Sequence, residues 1–318
     1  MRILITGVTG FIGSHIAAAL ERDGEHELFG LERYVTGRYV LGGERTMKTL
    51  FCDVRDAFAV RRVVREVQPE AVIHLAAISA VSYSYDHPNE VLEANVLGTV
   101  NLAESCLREV AHFRQFLFAS TSETFGNGPL PKTEETKQYP NSPYSVSKKA
   151  AEDYVLYMRD AYGFPCTVLR PFNTYGRKDN THFVVERCIV QMLKSDKVKL
   201  GDATPLRDLL YVEDHVSAYL SCIANPKALG QVFNVATGRG TTIRELIEIL
   251  AGITNFRGEL VWDAIPRRPL DIQELIGDSS KAERVLAWRP EFGLEEGLAR
   301  TVDHWRRKLG TSAVSAAH

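Results

Sequence analysis

The chain lacks most of the features that would place it in a specialised class. Its 318 residues include only five cysteines, Cys52, Cys106, Cys166, Cys188 and Cys222, an odd number with no C-x-x-C pair among them. That argues against a disulfide framework or a thiolate metal cluster and for reduced thiols in a core. An excess of one charge is also missing: 38 Lys and Arg stand against 40 Asp and Glu, for a net charge of −2. Such a balance gives no electrostatic footprint for nucleic acid or an anionic membrane. No apolar run approaches the ~18 residues of a membrane span. The opening "MRILITG" is too short an apolar stretch for a secretory leader with its cleavage site. The nine histidines show no ligand spacing, so no metal is expected. These absences lead to the expectation of a cytoplasmic chain with neither a nucleic-acid nor a membrane partner. The sequence has no internal repeat, and its last residues, "TSAVSAAH", are small and polar and are expected to fray.

What is present is a core-forming chain, 45% hydrophobic, long enough for about two domains or one large one. Apolar runs at 2–6, 26–32, 48–54, 71–77, 114–120 and 166–173 read as strands. They alternate with helical patterns at 14–22, 57–67, 88–109 and 144–161. This alternation predicts an α/β fold with a doubly wound parallel sheet covered on both faces. After Asn173 the rhythm changes. Helices are expected at 183–194, 242–251, 279–287 and 294–308, with one further strand at 230–237 returning to the main sheet. The division expected is 1–173 plus about 229–238 as a dinucleotide-binding domain. A smaller C-terminal α/β domain comprises about 174–228 and 239–310.

The stretch "TGVTGFIGSH" spaces Gly7, Gly10 and Gly13 as G-x-x-G-x-x-G between the first strand and the first helix. Glycines there allow a tight turn and a close approach of pyrophosphate to the backbone, and the helix N-terminus faces the anion. Glu32 ends the second strand nineteen residues after Gly13, where a ribose-binding acid belongs. Asp53, ending the third strand, is expected at the adenine edge. Glu32 favours ribose hydroxyls and repels a 2′-phosphate, whereas its neighbour Arg33 could pair with one. The reading is NAD, with NADP as the alternative. Further on, "PYSVSKKA" sets Tyr144 and Lys148 four apart, on one face of a helix. An ammonium beside a phenol favours the phenolate, which can then act as a general base. His74 reads as a hydrogen-bonded core residue.

Taken in order, "TGVTGFIGSH", "CDVRD", "VIHLAA", "ANVLGTVNL", "ASTSETFG", "SPYSVSKKAAE", "RPFNTYG", "RDLLYVEDH", "FNVATG" and "RRPLDIQELIGDSSKAERVLAWRP" span nearly the whole chain. They resemble the extended short-chain dehydrogenases/reductases of the NAD-dependent epimerase/dehydratase kind that modify nucleotide sugars. The resemblance implies a Rossmann domain for NAD(P) and a small C-terminal domain gripping a nucleotide diphosphate sugar, GDP- or UDP-linked. It adds Phe11, Ile12, Val54, Leu75, Ala76, Ala77 and Asn95 to the cofactor set, with Asn95 behind Lys148. It also implies that Thr121 bonds the sugar O4, Tyr144 removes its proton, and Lys148 holds the nicotinamide ribose and lowers the pKa of Tyr144. Ser79, Asn173, Arg207 and Arg268 would meet the substrate, the arginines as planar forks for phosphate. Relatives often pair as homodimers through helices equivalent to 88–109 and 144–161.

Glu123 divides the possible reactions. All begin by oxidising C4, but a 4-epimerase needs no carboxylate at this position. A 4,6-dehydratase must also take the C5 proton and protonate the departing O6, jobs for which a half-buried glutamate can be tuned, with Ser122 beside it. Thr-Ser-Glu resembles GDP-mannose 4,6-dehydratases and UDP-glucuronate decarboxylases. Ser122 stands where dTDP-glucose dehydratases carry aspartate, while Ala80 and Phe125 depart from the dehydratase pattern. The expectation is a GDP-mannose 4,6-dehydratase-like lyase, with a 4-epimerase or a UDP-glucuronate decarboxylase as alternatives.

Overall fold

The computed structural model describes residues 1–34, 47–267 and 269–311. Residues 35–46, Arg268 and the tail from 312 onward lie outside the described residues.

The N-terminal part builds one sheet. Its elements in order are β1 (Arg2–Thr6), α1 (Phe11–Asp23), β2 (Glu27–Glu32), β3 (Lys48–Phe51), α2 (Ala57–Val67) and β4 (Ala71–His74). There follow α3 (Val81–Asp86), α4 (Pro88–Leu92), α5 (Gly98–Glu109), β5 (Gln115–Ala119), α6 (Pro143–Tyr162) and β6 (Cys166–Pro171). The C-terminal part contributes β7 (Asn173–Tyr175), α7 (Val184–Lys194), β8 (Lys197–Lys199), β9 (Leu206–Tyr211), α8 (Val212–Cys222) and β10 (Val232–Val235). It ends with β11 (Gly240–Thr242), α9 (Ile243–Thr254), β12 (Glu259–Val261), β13 (Glu274–Leu275), α10 (Ser280–Leu286) and α11 (Leu294–Leu309). Seven parallel strands form the main sheet in the order β10-β6-β5-β4-β1-β2-β3, a doubly wound Rossmann arrangement. Its central strands are buried on both faces, which is why they read as near-continuous apolar runs.

Each face of the sheet has its own core. On one, Ile16, Ala17 and Leu20 of α1 pack with Val216 and Tyr219 of α8. On the other, α2 presents Val60, Val63, Val64 and Val67, a helical stripe, alongside Leu102 and Cys106 of α5 and Val155 and Met158 of α6. Asp56 starts α2 by accepting the Phe58 and Ala59 N–H groups, both at 3.0 Å. Four of the cysteines are buried and Cys52 is half-buried, all unpaired.

Three local readings are revised by the structure. The helix expected over 88–109 is interrupted by a π-helical turn at Glu93–Leu97, which turns Asn95 inward. The strand expected over 166–173 divides: Phe172 still donates to the Val235 carbonyl at 2.9 Å, but Asn173 pairs with Leu209 of β9 in a second sheet. Helix α8 was not foreseen, and it packs on α1 and beside β6 and β7. The second sheet has the path β11-β9-β13 with β7 also paired to β9, and β8 pairs with β12. Helices α7, α9 and α11 pack together over this part of the chain.

Candidate functional site

A cavity of about 820 Å³ runs along the C-terminal ends of the main strands and into the second sheet. Open α/β sheets bind ligands at this edge. Gly7 adopts a left-handed conformation (φ +69°), and a Cβ on Gly13 would stand 2.2 Å from the Gly7 carbonyl oxygen. The turn therefore closes tightly and brings the N-terminus of α1 to the cavity, with Gly10, Phe11 and Ile12 on its wall. Glu32 lies at the end of β2, where its Oε1 accepts the Thr9 N–H at 2.5 Å. Burial raises its pKa, against the pull of the Thr9 bonds. Arg33 pairs with Glu90 at 3.4 Å and lies over the Tyr34 ring. Asp53 is clamped by Arg55, with Nη2 to Oδ2 at 2.6 Å, and this bond holds its carboxyl below the usual range. Val54, Leu75, Ala76 and Ala77 complete this end of the wall.

The chemistry-bearing groups meet further along. Strand β5 delivers Ser120 and Thr121 to the cavity edge, and the chain then winds into a 3₁₀ turn over Ser122–Phe125. Thr121 caps that turn, its Oγ1 accepting the Glu123 N–H at 3.2 Å. Gly126 ends it with φ +59°, and a Cβ there would stand 2.1 Å from the Tyr139 carbonyl oxygen. Helix α6 starts with a capping box between Ser142 and Ser145 and with Pro143 in its first turn. The cap places Tyr144 in the first turn of the helix, in hydrogen-bond contact with Thr121. Glu123 is half-buried on the same wall, close enough for its charge to act on Tyr144.

Electrostatics at Tyr144 differ from the simple tyrosine–lysine picture. Burial pushes the phenol up to about 12 and the Glu123 charge adds to this, while the Thr121 hydrogen bond and the Arg177 cation pull down. Burial also pushes Lys148 down to about 7, against the charge of Glu152 one turn further along α6. The lysine lies 4.5 Å from the Phe118 ring centroid. Asn95 does not line the cavity. It donates to Ser147 Oγ, next to Lys148, at 2.9 Å, and brackets the Ile78 backbone. His74 bridges Thr6 (2.8 Å) and Thr99 (3.0 Å) in the core, and burial pushes it down to about 3.

A buried polar network fastens the turn to the helix. Glu152 accepts from Ser120 Oγ and pairs with Arg170 of β6 at 2.5 Å. Gln138 joins Glu152 (3.3 Å) to Thr124 (2.8 Å), and Thr124 donates to the Thr121 carbonyl at 2.8 Å. Strand, turn and helix are thus bonded through buried groups, with the half-buried Gln138 as their link.

On the other side of the cavity stand Ser79, Asn173 and Arg207. Arg207 donates to the Ile272 carbonyl at 2.7 Å and pairs with Asp271 at 3.6 Å. Sequence reasoning missed three residues here. Arg177 is half-buried between the rings of Phe183 (3.5 Å) and Phe11 (4.6 Å), with Glu186 at 3.7 Å. His215 and Tyr219 of α8 line the inner wall. Of these, only Arg177 had a sequence signal, its place directly after "RPFNTYG".

The model of the family described as GDP-mannose 4,6 dehydratase matches residues 4–301. A UDP-glucose 4-epimerase of Mycolicibacterium smegmatis is 35% identical over 97% of this chain and 99% of its own length. A GDP-6-deoxy-D-mannose reductase of Pseudomonas aeruginosa is 32% identical over 97% and 98%. Among solved structures, a UDP-glucose 4-epimerase of Thermotoga maritima with UDP-glucose superposes with a TM-score of 0.89 at 32% identity, covering 97% of this chain and 100% of that one. The Thermus thermophilus UDP-glucose 4-epimerase in complex with NAD gives 0.88 at 33% identity, covering 96% and 99%.

Proposed function

The chain belongs to the nucleotide-sugar epimerase/dehydratase family, in the branch whose model is described as GDP-mannose 4,6 dehydratase, and we propose that it is an NDP-hexose 4,6-dehydratase. Its cofactor is NAD, as in the similar Thermus epimerase. The glycine turn, the α1 N-terminus and Glu32 suit a ribose diphosphate without a 2′-phosphate, and Arg33 is engaged by Glu90. When bound, NAD supplies the redox chemistry, taking hydride from C4 and returning it to the sugar. Thr121 orients O4, Tyr144 takes its proton, and Lys148 holds the nicotinamide ribose. Asn173 and Arg207, with Ser79 nearby, grip the substrate, and Arg268 is assigned to the same task from the sequence.

One observation carries the dehydratase reading: Glu123 lies half-buried on the cavity wall beside Tyr144. A carboxylate there removes the C5 proton once C4 is a ketone, and with Ser122 passes a proton to O6 as it leaves as water. The proton that Tyr144 took from O4 then serves to reprotonate C5. GDP-mannose is the substrate this reading favours. A 4-epimerase is the second reading, favoured by the similarity to the mycobacterial UDP-glucose 4-epimerase over nearly both full chains. A UDP-glucuronate decarboxylase is the third.

Mass spectrometry of products from GDP-mannose, UDP-glucose, UDP-GlcNAc, UDP-glucuronate and dTDP-glucose separates the three. Loss of one water is expected. Unchanged mass with inverted C4, or loss of CO₂, would replace the proposal with its respective alternative. Glu123→Gln should stop elimination while C4 oxidation continues, and Tyr144→Phe should stop oxidation itself.

We also propose that two copies pair through the outer faces of α5 and α6. Leu97, just ahead of α5, is 53% exposed, and Val146 and Tyr157 of α6 are 47% and 51% exposed. A monomer by sedimentation at micromolar concentration would refute the pairing. Among the described residues no helix is long and apolar enough to cross a membrane.

A further inference from the structure

Two polar atoms on the inner cavity wall are buried and, among the described residues, have no hydrogen-bond partner: Nε2 of His215 and the phenol oxygen of Tyr219. The two residues sit one turn apart on α8, with ring centroids 5.5 Å apart. Leaving such groups unsatisfied is costly, so a native wall that keeps both invites a ligand with matching groups.

The hydrogen bonds define what each atom offers. The Phe172 carbonyl can only accept, so the Thr174 hydroxyl satisfies both of its contacts, that carbonyl (3.1 Å) and His215 Nδ1 (2.9 Å), when it donates to the first and accepts from the second. His215 therefore carries its proton on Nδ1. Burial, with the nearby Arg177 charge, pushes its pKa down to about 3 and keeps the ring neutral, leaving Nε2 as a bare acceptor. Burial raises the Tyr219 phenol, which keeps its proton and can donate. The wall thus displays one acceptor and one donor side by side, the complement of a primary carboxamide.

We propose that His215 and Tyr219 hold the carboxamide of the nicotinamide ring, Nε2 accepting from its NH₂ and the phenol donating to its C=O. This rests on the reading of NAD as cofactor. The position fits that ring. Tyr219 feels the charge of Tyr144, so the wall faces the end of the cavity where the proton acceptor works. Helix α8 also packs on α1, on the glycine-turn side of the cavity, while Ser79 and Arg207, proposed above for the sugar nucleotide, line it elsewhere. Holding the carboxamide fixes which face of the ring meets C4.

The test is calorimetric binding of NAD and of 3-acetylpyridine adenine dinucleotide, in which a methyl replaces the amide nitrogen, to the full chain freed of bound nucleotide. The unaltered protein should prefer NAD by about tenfold, the worth of one buried hydrogen bond. His215→Phe should weaken NAD alone and bring the ratio near one. Tyr219→Phe should weaken both ligands by a similar factor and keep the ratio. A general loosening of the fold cannot produce that split. A ratio near one in the unaltered protein, or affinities that Tyr219→Phe leaves unchanged, would overturn the inference even if His215→Phe does not fold. If NAD itself does not bind, both this inference and the cofactor reading fail; binding without discrimination removes this inference alone.

Discussion

The cation that draws Tyr144 toward its phenolate is Arg177, which enters the cavity from beyond β7 in the second sheet. The charged and polar groups acting on the phenol are Arg177, Glu123 and Thr121, and its own charge reaches Tyr219. Removing the cation with Arg177→Met should raise the Tyr144 pKa further. Less phenolate is then present at any pH below that value. The rising limb of the pH–rate profile for C4 oxidation should move up by about one unit, lowering the rate at neutral pH about tenfold. An unmoved limb would show that the arginine only packs.

Glu152 and Arg170 are both buried, and each is the other's charge partner. Glu152→Ala should cost ~3–5 kcal/mol, because it leaves a guanidinium uncompensated. The double variant Glu152→Leu, Arg170→Met should recover much of that. Urea unfolding measures both. A single variant of unchanged stability would contradict the picture of a network holding the catalytic turn.

Glu32→Ala removes the carboxylate that would repel a 2′-phosphate. The preference for NAD over NADP should fall by at least about tenfold, since juxtaposed like charges cost several kcal/mol. Affinity for NAD should also drop, because the Thr9 N–H loses its acceptor. Separate titrations with the two cofactors give the ratio.

His74 titrates near 3 in the folded chain and near 6.5 when unfolded. Its folded pKa is depressed, so the unfolded state binds the extra proton between those values. Acidification through this window removes stability, at up to ~1.4 kcal/mol per pH unit from this residue. His215 acts in the same direction, while buried Asp208, whose pKa is raised, acts in the opposite one. His74→Gln should reduce the slope of stability against pH by about one proton. An unchanged slope would mean that His74 is protonated in the native state.

The sheet was legible because buried parallel strands must be apolar throughout, as in "RILIT" and "AVIH". The Tyr144–Lys148 pair was legible because helical spacing alone brings the two together. Helix α8 was not, because seven of its residues, Asp214 and His215 included, are buried, and no polar stripe marks an outer face. The short strands β7, β8 and β11, three residues each, carry too little pattern and exist only through distant pairing. His215 and Tyr219 were hidden for the same reason, since their roles follow from where separate segments meet, and Arg177 showed only its place after "RPFNTYG". The spacing that pairs Lys148 with Tyr144 says nothing of their burial, which draws both groups toward neutrality.

The passage from β6 to β7 has a mechanical consequence. Phe172 is the last residue bonded to the main sheet and Asn173 the first bonded to the second, with no loop between them. The chain crosses back when β10 returns to the main sheet and out again to β11, so three crossings stitch the two halves of the cavity together. A group held on one wall therefore stands at a set reach from the groups on the other.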